Sequence, residues 1–304
     1  MAVQLDDECQ TQRYGVCKGD WAVVINIITG DCRTVLSWDL DDDAFDTCVT
    51  SPPYYRLRDY GYDDQLGRGV SIEDYVKDLV DIMAGVKMRL KATGSLWLVL
   101  GDTYKDKQLL GIPWRVAFAL QQDGWLLRSA VIWQKPNVKP DGAKDRPTNE
   151  YEHVFLLTVN KSYYYNQAAI KENPADYTRK GGTAPYLANG MNADGMNSTS
   201  FHQMSKDGRN KRNVWSISTV PAAFPGHFAA FPPKLAEICI KATCPPGGAV
   251  LDPFGGTGTT GLVAARLGLD ATLIEINSKY AQAARDRITM DAPLFASVKG
   301  ETND

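Results

Sequence analysis

No apolar run in the 304 residues approaches the length of a membrane span, and Met1 to Asp20 is polar and acidic, so neither anchor nor signal peptide is expected. The six cysteines (Cys9, Cys17, Cys32, Cys48, Cys239, Cys244) make no Cys-x-x-Cys pair, which argues against zinc, and no metal site is expected. Cys32, Cys48 and Cys239 lie in apolar segments and read as buried thiols, which fits a reducing cytoplasm. The glycine-rich stretch after Asp252 is not followed by Gly-Lys-Ser/Thr, which excludes a P-loop. A strong charge of either sign is also missing. The net charge of −3 argues mildly against a nucleic-acid partner, but its distribution is uneven. Between Lys161 and Val220 eight basic residues face four acidic ones. A solvated loop and a one-sided contact with a polyanion both fit that pattern.

What is present is alternation. Trp21–Gly30, Asp46–Thr50, Gly94–Asp102, Trp125–Trp133, Glu152–Thr158, Ala249–Leu251 and Ala271–Glu275 read as strands. Between them, Ser71 caps a helix whose apolar positions run from Ile72 to Leu90 at helical spacing. Further helices are expected over 113–122, 234–242, 261–267 and 278–289, with a short amphipathic piece at 34–45. Strand and helix taking turns predict an α/β protein with a doubly wound, mostly parallel sheet. Residues 166–213 break the pattern and read as an irregular insert. The expected organisation is an N-terminal arm (1–20), one half-domain (21–165), the insert (166–213) and a second half-domain (214–304).

Two motifs stand at the carboxyl ends of expected strands, where such sheets bind ligands. The first is Thr50-Ser51-Pro52-Pro53-Tyr54-Tyr55. Two prolines fix φ and remove two donors, so the strand ends in a stiff hook with outward carbonyls, a hydroxyl and two aromatic faces. Such a hook can accept from a planar amino group and stack the ring that carries it, as on a nucleobase. A rigid polyproline-like loop is the plain alternative. The second is Asp252-Pro253-Phe254-Gly255-Gly256-Thr257-Gly258, where a strand hands over to a helix. Glycines allow close approach of a ligand, and the helix start offers free donors. Glu275 ends the next strand, 17 residues after Gly258, placed to accept from two ribose hydroxyls. That chemistry serves NAD and S-adenosylmethionine alike.

Together the motifs resemble the amino-directed DNA methyltransferases that use S-adenosyl-L-methionine, with Asp/Asn/Ser-Pro-Pro-Tyr/Phe as catalytic motif and Phe-x-Gly-x-Gly as cofactor loop. The catalytic motif comes first, the order of the β group of that family. The resemblance covers about residues 20–160 and 213–290. It implies a seven-stranded Rossmann-like methyltransferase sheet, with the insert as target-recognition region. It implies that Ser51 and Pro52 accept the amino hydrogens, that Pro53 and Tyr54 complete the catalytic motif, and that Tyr54 stacks on a flipped base with Tyr55 as the wall behind. For the cofactor it implies Asp252, Phe254, Gly255, Gly256, Thr257 and Gly258 around the methionine moiety, with Thr50 beside them. Glu275 would hold the ribose and Ile276 pack on the adenine. The Phe231-Pro232-Pro233-Lys234-Leu235 element would help cover the methionine end through Phe231 and Lys234, and Asp31 would lie near the adenine. His227 precedes that element at the family's usual distance. Arg146-Pro147-Thr148 with Glu150 and Glu152 resembles the segment between the sixth and seventh strands, which implies shaping the base pocket or contacting DNA. A capped loop fits it as well. Arg209, Lys211 and Arg212 are the insert's candidate DNA contacts.

The expected activity is methylation of an exocyclic amino group in double-stranded DNA, in a bacterial or phage-infected cell. The Pro-Cys nucleophile of the ring-carbon cytosine enzymes is absent. Ser at the first motif position favours cytosine N4, and adenine N6 is the alternative. A DNA- or nucleotide-binding module without catalysis, an NAD-dependent oxidoreductase, and RNA or protein as acceptor remain as rivals. A homodimer and a cognate restriction endonuclease are open as partners.

Overall fold

A computed structural model describes residues 23–38, 40–56, 66–138, 141–172, 208–220, 231–291 and 296–302. The expected arm, most of the expected insert (173–207) and His227 lie outside the described residues.

The chain runs β1 (Val23–Thr29), α1 (Cys32–Trp38), β2 (Phe45–Thr50), α2 (Ile72–Arg89), β3 (Leu90–Leu100), a small hairpin of β4 (Tyr104–Lys105) and β5 (Gln108–Leu109), then α3 (Ile112–Gln122), β6 (Leu126–Gln134) and β7 (Tyr151–Thr158). A 3-10 turn (Ala168–Ile170) and β8 (Val214–Ser216) flank the insert. The rest is α4 (Pro233–Thr243), β9 (Ala249–Asp252), α5 (Thr259–Arg266), β10 (Asp270–Glu275), α6 (Ser278–Asp291) and β11 (Ala296–Thr302).

Nine strands form one sheet in the order β11-β1-β10-β9-β2-β3-β7-β6-β8. Seven are the strands expected from the sequence. The short β8 adds to one edge and β11 to the other, each paired in parallel. Only β7 runs against its neighbours β3 and β6. Alternate residues of the strands feed two cores. Val49, Trp97, Val99, Val154 and Leu156 face α4, α5 and α6. Cys48, Leu96, Leu98, Leu100 and Phe155 face α1, α2 and α3. The central strands are apolar on both faces because helices cover both.

The order places a switch point between β2 and β9. From β2 the chain crosses through α2 to β3 on one side, and from β9 through α5 to β10 on the other. β2 and β9 pair in parallel, Thr47 beside Val250 and Cys48 beside Leu251. Both motifs therefore open into the same crevice. The base of the insert is tied as well: Ile170 is in the core, and Glu172 bridges to Arg209 in antiparallel fashion. Order thus extends past residue 166, the expected start of the insert. Among the described residues no helix is long and apolar enough to cross a membrane.

Beneath the crevice a buried hydroxyl network joins β2, β3 and α4. Thr243 Oγ1 accepts from Trp97 Nε1 (3.0 Å), shares a proton with Thr47 Oγ1 (2.8 Å) and donates to the Cys239 carbonyl (3.0 Å). Removing the hydroxyl strands the Trp97 donor in the core. Thr243→Val should destabilise the fold by about 1–3 kcal/mol in urea unfolding, and Thr243→Ser should recover most of that loss.

Candidate active site

The two halves of the crevice are joined by Asp252, which is buried at the end of β9. Thr50 Oγ1, at the end of β2, donates to Asp252 Oδ1 at 2.6 Å. Thr260 Oγ1, in α5, donates to Oδ2 at 2.6 Å, and the Phe254 amide donates to Oδ1 at 3.1 Å. Burial pushes the Asp252 carboxyl up to about 6 against the pull of these three donors. Both oxygens are engaged within the protein. Asp252 and Thr50 therefore shape the cradle from beneath, whereas the resemblance implied that Asp252 surrounds the ligand directly.

The glycine loop turns tightly above them. Gly258 sits at φ 78° and caps α5, and a Cβ there would come within 2.8 Å of the Ala284 Cβ. At Gly255 a Cβ would meet the Leu273 Cβ at 2.8 Å. Thr257 is buried between them, and Phe254 packs partly against the α1–α3 core. The Gly256 amide donates to Glu275 Oε2 (2.8 Å) and the Asn277 amide to Oε1 (2.9 Å). Each oxygen keeps a lone pair for another donor. Burial raises the Glu275 carboxyl to about 7, outweighing the two amides, and Asp252 adds to the rise. Ile276 beside it is 41% exposed, an apolar side chain with room for a planar ring. Asp31 starts α1 close by, since the Gly30 amide donates to the Glu275 carbonyl (3.1 Å). Burial pushes Asp31 up, but hydrogen bonds from the Arg33 side chain and amide outweigh it and hold the carboxyl below its usual value.

The hook is held from four sides. Tyr75 Oη, from α2, donates to the Pro53 carbonyl (2.8 Å), which removes it from competition with Pro52 for a guest's hydrogens. Pro53 thus stiffens the motif. The Tyr54 ring lies over Gly101 at the end of β3, where a Cβ would come within 2.6 Å of Cε2. Ser51 Oγ donates to Tyr54 Oη (3.3 Å), and Tyr54 Oη donates to Glu152 Oε2 (2.7 Å). Burial, with the Glu152 charge next, pushes the Tyr54 phenol well above its usual value. Tyr55 points the other way. It is 4% exposed, packs on the Tyr75 ring at 5.4 Å and donates to the Val70 carbonyl (2.9 Å). Tyr55 is therefore part of the core behind the hook, and a base in the crevice cannot reach it.

Other expected residues are engaged elsewhere. Phe231 is buried against α4 in the core. Lys234, exposed on the first turn of α4, pairs with Glu237 at 3.0 Å rather than reaching over the loop. Arg146 pairs with Asp141 (2.8 Å) and lies over the Tyr104 ring at 4.1 Å. Arg209 and Arg212 both grip Glu172, at 2.7 and 3.2 Å, and Lys211 lies over the Trp215 ring at 5.5 Å. These cations hold the base of the insert together, and any contact with DNA would have to compete with those bonds. Sequence reasoning missed Gly101, Lys135 and the bond from Tyr54 to Glu152. A glycine directly after the apolar run of β3 was the available signal for the first.

A doubly wound sheet with an acceptor-rich glycine cradle on one side of its switch point and a rigid acceptor hook on the other is the arrangement of a cofactor-dependent methyltransferase. Residues 45–286 match the family model of the N6/N4 DNA methylases. The chain is 40% identical to the Type II methyltransferase M.SmaI of Serratia marcescens, over 93% of this chain and 94% of that protein. It is 38% identical to M.XycI of Xanthomonas campestris pv. cyanopsidis, over 86% and 87%. Among solved structures, the PvuII DNA methyltransferase (cytosine-N4-specific) matches with TM-score 0.65 at 19% identity, over 92% of this chain and 97% of that one. A DNA modification methylase of Thermus thermophilus, complexed with S-adenosyl-L-methionine, matches with TM-score 0.61 at 24% identity, over 92% and 98%. These two likenesses are of fold. The chain belongs to the N6/N4 DNA methylase family.

The close fit of Tyr54 on Gly101 makes a test of the hook. Gly101→Ala should displace the ring and lower the methyl-transfer rate at least roughly tenfold through misalignment, with cofactor affinity unchanged by calorimetry.

Proposed function

We propose that this chain methylates N4 of cytosine in double-stranded DNA, using S-adenosyl-L-methionine. The observation that carries the reading is Ser51 at the head of the hook, directly across the switch point from the Glu275 cradle. Ser at this position, and the fold shared with a cytosine-N4-specific enzyme, favour cytosine over adenine. The cradle suits the cofactor. Glu275 offers one acceptor per ribose hydroxyl, Ile276 an apolar face for adenine, and the glycine turn admits the chain that carries the sulfur.

When bound, the cofactor supplies an electrophilic methyl group on a sulfonium. The remaining work falls to the hook. A cytosine amino nitrogen is a poor nucleophile because its lone pair is delocalised into the ring. Ser51 gives its own proton to Tyr54, so its lone pairs are left to accept one amino hydrogen. The Pro52 carbonyl accepts the other. Two fixed acceptors pull the nitrogen towards sp³ geometry and direct its lone pair, and alignment lowers the barrier. The target must leave the duplex to reach the hook, and the Tyr54 ring offers it a stacking face.

The test is nucleoside mass spectrometry of unmethylated genomic DNA after reaction with the cofactor. N4-methylcytosine from the wild type and none from Ser51→Ala is expected. N6-methyladenine instead would overturn the cytosine assignment and favour adenine as the base.

The raised carboxyls give a second test. In the free protein the native state binds protons that the unfolded chain does not. Stability is then fully present below the ordinary carboxylate range and falls as the pH rises through about 6 for Asp252 and about 7 for Glu275. Ribose hydroxyls favour the ionised carboxylate, so affinity should rise as the pH climbs through about 7. Glu275→Gln should flatten the calorimetric pH profile, weaken binding roughly 10- to 100-fold, and reduce the fall of Tm across the same range.

A further inference from the structure

We propose that Ser51, Tyr54, Glu152 and Lys135 form a proton relay that carries the amino proton of the methylated base away from the site. The proposal rests only on transfer to an exocyclic amino group, whichever base carries it.

The hydrogen bonds all point one way. Ser51 donates to Tyr54 at 3.3 Å, and Tyr54 donates to Glu152 Oε2 at 2.7 Å. The Lys135 ammonium rests on the other oxygen, Oε1. The chain ends there, 98 residues along the sequence from Tyr54, on the β7 residue that pairs with Trp133 of β6. Lys135 and Glu152 are only 17% and 16% exposed, and Lys135 also lies 4.6 Å from the Trp133 ring centre. An ion pair so far out of water is a poor stability device, because desolvation offsets its attraction. Its position at the end of the hook gives it another use.

The other carboxylate near the hook, Asp102, is committed. It follows Gly101 and accepts from the amides of Thr103, Gly111 and Ile112 at 2.9, 3.0 and 3.1 Å, which caps α3. Glu152 is the carboxylate that touches the motif.

The step balances without any other reactant. The amino nitrogen forms a bond to the methyl carbon, and the carbon–sulfur electron pair leaves with sulfur. The nitrogen is then cationic and strongly acidic. Its proton passes to Ser51 Oγ as the Ser51 proton passes to Tyr54 Oη and the Tyr54 proton to Glu152. The net change is a neutral methylamino group and a protonated Glu152 beside Lys135. A weak base is sufficient for so strong an acid, so Lys135 can hold Glu152 ionised and ready between turnovers. The relay needs a hydroxyl at position 54, and members with Phe in the motif cannot use it.

The test uses the full-length chain with S-adenosyl-L-methionine and duplex DNA, read by single-turnover rate, KM for DNA, cofactor calorimetry and Tm. Glu152→Gln still accepts from Tyr54 but takes up no proton. We expect kcat to fall about 100-fold, with KM, cofactor affinity and Tm close to wild type. Glu152→Asp should recover part of the rate. Adding Tyr54→Phe to Glu152→Gln should cost little more than the worse single change, because one chain is broken twice. If Glu152→Gln folds poorly, Tyr54→Phe alone reads the same relay, and an undiminished kcat there would overturn it. Wild-type kcat in Glu152→Gln, independent losses in the double variant, or cofactor affinity falling in step with kcat would each overturn it too. A wild-type chain that makes N6-methyladenine removes the cytosine assignment and leaves the relay to these variants. One that methylates neither base removes both.

Discussion

A single buried carboxylate fixes the geometry on which the rest of the site depends. Asp252 lies 202 residues from Thr50 in sequence and 2.6 Å from its hydroxyl. Thr260 secures the other oxygen from α5. Through these bonds the end of β2, the end of β9 and the start of α5 become one rigid body at the switch point. A buried carboxylate is costly, and its raised affinity for a proton shows that the three donors offset the cost incompletely. What the arrangement secures is position: the hook cannot move relative to the glycine cradle without breaking a short bond inside the core.

The fold was legible because its strands carry their own signal. Apolar runs covered on both faces, separated by helical spacings, can hardly be read as anything but a doubly wound sheet. β11 escaped because its sequence, Ala-Ser-Val-Lys-Gly-Glu-Thr, is that of a polar edge strand held by pairing with β1. β8 is three residues long, too short to show a period. Strand neighbours are set by non-local packing, so the adjacency of the two motifs could be suspected from topology but not read from either motif.

The site divides in the same way. Backbone chemistry is local, and the Pro-Pro hook and the positive φ of Gly258 follow from the residues at those positions. Side-chain direction is not local. Tyr54 and Tyr55 are identical neighbours, yet one lines the crevice above Gly101 and the other is buried against Tyr75. Nothing in the dipeptide distinguishes them, because the choice is made by α2 and β3. The basic residues near the insert show the same limit. Counting their charge suggests a polyanion partner, whereas the single carboxylate of Glu172 already engages Arg209 and Arg212.

Rigidity is what the hook's chemistry requires. Acceptors that could follow an amino group would hydrogen-bond it in its planar form and leave its lone pair in the ring. Acceptors held still can favour the bent form, because only that form satisfies both of them. The chain secures this with contacts from four elements: Tyr75 of α2 on the Pro53 carbonyl, Gly101 after β3 beneath the Tyr54 ring, Glu152 of β7 on its hydroxyl, and Asp252 of β9 on Thr50. None of the four is next to the hook in sequence. The scaffold therefore fixes the line of attack, while the few atoms facing the crevice, Ser51 above all, are left to set which amino group is accepted.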